Sequence, residues 1–150
     1  QKTGTEDPAV LMRDWRSGAA KMHVLRAGLA LRARKPALFA EGDYQKLEVT
    51  GPQAENVVAF SRVLGSEAVI TIAPRLPLGL LGELSEPRVP VETWSKTELR
   101  LPDRFSRHSW KNVLDNSLIL SPEDPNIAKL ICNFPCALIV GHSIDAENTG

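Results

Sequence analysis

Few side chains in this 150-residue sequence could do chemistry, and they are scattered. Cys132 and Cys136 stand in Cys-Asn-Phe-Pro-Cys. That spacing is not the two-residue gap of a metal or redox pair, and no further Cys or clustered His completes a tetrahedral site. Within one strand the two residues would lie roughly 13 Å apart at ~3.3 Å per residue, beyond disulfide reach unless the chain bends at Pro135. Partly buried free thiols are therefore expected. His23, His108 and His142 fall on a helix, at a strand edge and near the C-terminus. Ser109 and Ser143 adjoin two of them, but a nucleophile and its base are arranged in space, not along the chain. The expectation is structurally bonded or solvated histidine, with no catalytic residue, no metal and no cofactor.

Sugar recognition would need exposed aromatic faces with polar groups for the hydroxyls. Three Trp, four Phe and one Tyr are a thin supply. Trp94 is the best candidate for exposure and Trp15 the second, with packing in a core or between domains preferred for both. Trp110, Phe39 and Phe60 read as interior. Arg32, Arg34 and Lys35 sit at the end of a helical pattern, where cations offset the negative end of the helix dipole. No phosphate site is needed to explain them.

A hydrophobic content of 43% supports one ordinary core. Eighteen basic and eighteen acidic residues cancel, which removes the long-range field that nucleic-acid and membrane-surface binders display. No run is long enough for a membrane span and no leader pattern opens the chain, so the expected location is cytoplasmic. The polar start at Gln1 reads as an interior edge.

The elements that would position these residues fall into three stretches. Residues 1–18 form a polar N-terminal segment. Residues 19–35 form one long helix, with Ser17 as its N-cap and Pro36 as its stop. Residues 43–141 form an antiparallel β-sandwich, so the fold class is mainly β with one preceding helix. Strands are expected over 44–50, 56–62, 68–73, 97–101, 109–114, 118–120 and 134–140, and Gly65-Ser66 should close a hairpin. The Pro-rich connection from Pro74 to Ser95 has no clean period and is expected on the surface. On the helix, Met22, Leu25, Leu29 and Ala33 make one apolar stripe, and Val24, Ala27, Gly28 and Leu31 make another roughly opposite. A helix held between two layers needs such an arrangement, so Met22, Val24, Leu25, Leu29 and Leu31 are expected to pack between domains.

Several pieces combine into a resemblance. Trp15, Arg16, Gly18 and Lys21 in DWRSGAAK precede the helix, and LRARKPALFAEGDYQKLEVT carries it through the Pro stop into the first strand. APRLPLGL, TELRLP, WKNVL and FPCALIV follow in order. Together, over about residues 10–140, they resemble the C-terminal region of maltooligosyltrehalose synthases, in the α-amylase superfamily of glycoside hydrolases. The resemblance implies the last barrel helix followed by an α-amylase-type C-terminal β-domain. For the parent it implies an isomerase of trehalose biosynthesis, which turns the reducing-end α-1,4 link of a maltodextrin into an α,α-1,1 link by intramolecular transglucosylation. Such enzymes keep their carboxylates on barrel strands. No such strand is present, so the segment itself is expected to be inactive. Its implied partners are the parent's catalytic barrel and, through it, maltodextrin. Self-association is expected of the segment alone, and nucleic acid and membrane are not expected as partners. The pattern departs from the family at GELSEPRVPVETW, where a Gly- and Trp-rich loop is usual. The alternative is a free-standing β-domain that binds α-glucan or another protein.

Overall fold

The computed structural model describes residues 7–81, 88–116 and 124–144. Helix α1 (Pro8–Arg13) starts at Asp7, whose carboxylate accepts from the Ala9 N–H, with Pro8 in the first turn. A 3-10 turn over Trp15–Ser17 leads into the long helix α2 (Ala19–Arg34). The cap is displaced by one residue from the expected Ser17. Gly18 holds the cap position with φ 83°, and the Ser17 hydroxyl accepts from the Ala19 N–H at 3.2 Å. Helix α2 stops as expected at Lys35, whose φ of −130° and ψ of 57° lie outside the helical region that proline disfavours in the residue before it. Pro36 then begins a second helix, α3 (Pro36–Glu41), as its first residue. A proline that ends one helix is pre-organised to open the next, since the first helical N–H needs no partner.

Strands β1 (Asp43–Lys46) and β2 (Glu48–Thr50) follow, then β3 (Val57–Leu64), β4 (Glu67–Pro74), the single-turn helix α4 (Leu78–Leu81) and β5 (Glu98–Arg100). Strand β6 (His108–Asn112), helix α5 (Ile127–Leu130) and strand β7 (Ala137–Ser143) complete the described elements. All strand pairs are antiparallel: β1-β3-β4-β7-β6 form one sheet, and β2-β5 form a second. The β3–β4 hairpin closes through Gly65-Ser66, with Leu64 opposite Glu67 and Gly65 at φ 58°. Glycine first is the pattern of a type II′ turn.

Two strands depart from the sequence expectation by more than two residues at an end. Residues 44–50 are not one strand: Leu47, 2% exposed, turns into the core and passes the chain from the large sheet to the small one. Residues 134–136 are turn, and β7 begins at Ala137. The stretch expected as a strand at 118–120 lies outside the described residues.

Because side chains alternate across a sheet, each face of the large sheet has its own cover. One face presents Ala59, Ile70, Ile72, Ile139 and Trp110, which share a core with Leu99 of β5, Trp94, Phe105 and Ile127. Val49 of β2 packs against the same core, so the two sheets face each other. The opposite face presents Val69, Leu138 and Val140 to Leu31 of α2 and Leu38 of α3. Helix α2 thus lies on the sheet through one side, and α1 packs beside it with Leu11 and Met12 against Val24 and Ala27.

The Pro74–Ser95 connection is not a surface loop throughout, and this corrects the expectation. Val89 is 5% exposed and Trp94 is 1% exposed, both inside the main core. With strands only three residues long in the small sheet, the connection supplies bulk that the second layer would otherwise lack. Residues 82–87, within the stretch that departs from the family pattern, lie outside the described residues.

Candidate functional site

Each group that could do chemistry has a structural occupation. With its proton on Nε2, His23 donates to the Leu114 carbonyl at 2.7 Å, and its ring lies 5.7 Å from Phe134. His108 stacks on Trp110, with ring centroids 5.3 Å apart, and meets the edge of Phe105. Burial, and after it the neighbouring His142, hold His108 below its ordinary pKa of 6.5. Both cysteines are free thiols. Cys132 donates to the Lys129 carbonyl, and burial pushes the Cys136 thiol up to about 11. A thiol held neutral in this way is a poor nucleophile at ordinary pH. Among the described residues no group of three or more His, Cys, Asp or Glu is placed to hold a metal ion.

The aromatic candidates also resolve. Trp94, the better of two candidates for exposure, is packed in the core as preferred for it, where Val89 and the residues around Ile131 close over it. Trp15 is half-buried, with the Arg16 guanidinium 4.7 Å above its ring. Trp110 is interior as expected, but Phe39 and Phe60 are only half-buried. Exposed Tyr44 leans on Phe60 at 5.3 Å, with planes 36° apart, so this pair is tilted rather than coplanar. An open groove of about 470 Å³ runs beside Lys46–Val49. Its charged lining is Lys46, Glu48, Glu55 and Arg75, two of each sign. A balanced lining of that kind gives no field that would select an ion.

What stands out is a surface. On α2, Leu31 is 1% exposed against Leu38 and Val69, and Val24 is half-buried against Leu11 and Met12. Met22, Leu25 and Leu29 stand on the other side at 48%, 48% and 65% exposed. No described residue of the N-terminal segment covers them, because α1 packs on the inner side. At the helix end Lys35 pairs with Glu67, while Arg32 and Arg34 occupy the last turn where the dipole favours cations. Arg26, on the exposed side between Leu25 and Leu29, escaped the sequence reading. The signal for it was the absence of any carboxylate along α2. No described helix is long and apolar enough to cross a membrane.

Comparison with known proteins gives one match. The chain superposes on a point mutant of maltooligosyltrehalose synthase from Arthrobacter ramosus with a TM-score of 0.61 and 25% identity, over 94% of this chain and 17% of that one. No family model matches the sequence, and no curated protein does. The chain is thus similar to one region of that synthase, and it spans about a sixth of the synthase's length.

Proposed function

We propose that this chain is the C-terminal β-domain of a maltooligosyltrehalose synthase-like enzyme, together with the helix that enters it. Its role is to cover and steady the catalytic barrel and not to perform the chemistry, and its place is the cytoplasm. The observation that carries the reading is the superposition of nearly the whole chain on one region of such a synthase. The two-sided helix supports it: one side is seated on the sheet, and the other presents apolar side chains that a further layer would bury. The parent would rearrange the reducing-end link of a maltodextrin, and this domain would contribute rigidity. The glucan-binding alternative loses its first candidate with Trp94 in the core.

The reading frame upstream of the Gln1 codon tests the parentage. A (β/α)8 barrel in frame is expected, and an in-frame stop and start directly before this segment would overturn it. Incubating the purified chain with maltopentaose tests the role. No non-reducing product is expected, and turnover that persists through removal of host amylases would refute a non-catalytic domain.

A further inference from the structure

The exposed side of α2 carries a charge pattern as well as an apolar stripe. Between Ala19 and Arg34 the helix has four cations, Lys21, Arg26, Arg32 and Arg34, and no carboxylate. At ~100° per residue, Arg26 borders the line of Met22 and Leu29 on one flank, and Lys21 and Arg32 border it on the other. All three are exposed, and among the described residues none has an ion-pair partner. Lys35, just past the helix, does have one in Glu67. The carboxylates that balance the chain's net charge therefore lie elsewhere.

From this geometry we infer that the outer face of α2 docks a protein surface that is apolar at its centre and edged with carboxylates. The inference goes beyond the parentage, since it holds for whichever domain or chain covers the helix. Opposite charges at the rim fix orientation and exclude wrong partners, while Met22, Leu25 and Leu29 supply the buried area. A second copy of the same helix is the poorer occupant, because a twofold pairing sets cationic flanks against cationic flanks and α2 carries no carboxylate to answer them. A lipid surface fits poorly as well, because α2 carries apolar side chains on two opposite sides and lacks the single apolar face of a membrane-surface helix.

The test uses the whole 150-residue chain and two labelled amphipathic peptides with the same leucine stripe, one flanked by Glu and one by Lys. Fluorescence anisotropy at ~20 mM salt is expected to give the Glu-flanked peptide an affinity at least about tenfold higher, a gap that closes near ~500 mM as screening sets in. Leu29→Asp should abolish binding of both peptides. Arg26→Glu combined with Arg32→Glu should reverse the preference without changing the thermal midpoint. Equal affinity for the two peptides, binding of neither, or binding indifferent to Leu29→Asp would overturn the inference. So would phosphatidylserine vesicles that displace the peptide. None of those results bears on the upstream reading frame, which tests the parentage separately.

Discussion

The two sides of α2 have nearly the same apolar composition and opposite situations. Val24, Ala27 and Leu31 are closed over by Leu11, Met12, Leu38 and Val69. Met22, Leu25 and Leu29 meet no such cover among the described residues. The difference teaches that a hydrophobic stripe states a need for a partner and not which partner meets it. Here the sheet and α1 meet one need, and among the described residues nothing meets the other.

The sharpest way to break this comparison is to charge both sides. Leu31→Asp should unfold the chain or cost well over ~3 kcal/mol, since it buries a carboxylate among Leu38 and Val69. Leu25→Asp, on the exposed side, should change stability by less than ~0.5 kcal/mol. Thermal unfolding of both variants decides the matter, and equal losses would mean the two sides are not distinct.

Next in size is a test of how tightly the sheet's inner face is filled. A Cβ on Gly141 would stand 2.3 Å from the Trp110 ring, which lies across it in the β6–β7 pair. Gly141→Ala should therefore cost about 1–3 kcal/mol through forced repacking. Ala30→Gly, on the exposed side of α2, should cost only about 1 kcal/mol, by helix propensity alone. Chemical denaturation separates the two, and a neutral Gly141→Ala would show that the Trp110 ring has room to move.

Smaller effects should appear on titration. His108 is held below 6.5 in the folded state, so its proton binds the unfolded chain more readily. The His108 contribution should be flat above pH 6.5, and stability should fall as the pH drops below it. His108→Gln should flatten that acid limb; an unchanged limb would place its origin elsewhere. Cys136 is shifted the other way, from 9.0 to about 11, so its contribution is present below pH 9 and is lost as the pH rises towards 11. At neutral pH, Cys132 should react with a thiol reagent well before Cys136, which mass mapping would read directly.

Much of the fold was legible in the sequence, and the illegible parts share a cause. The helix over 19–35 and the hairpin at Gly65-Ser66 follow from local rules: apolar spacing, a proline stop, and a glycine that tolerates positive φ. Leu47 carried no local sign of a strand break, since the residues that draw it inward, such as Ala59 and Leu99, lie far along the chain. The packing of Trp94, preferred over exposure from the sequence, is completed by Val89 and Ile131, and a proline-rich connection without period does not show that they surround it.

By itself, then, the sequence determined the mainly antiparallel class, the hairpin at Gly65-Ser66, the place where the helix ends, and the presence of two apolar stripes, because each depends on neighbours within a turn or a hairpin. Only the tertiary structure decided which stripe is buried, which tryptophan is interior, and how Leu47 divides one run between two sheets. Those outcomes depend on contacts between residues far apart in sequence, and no local pattern encodes them.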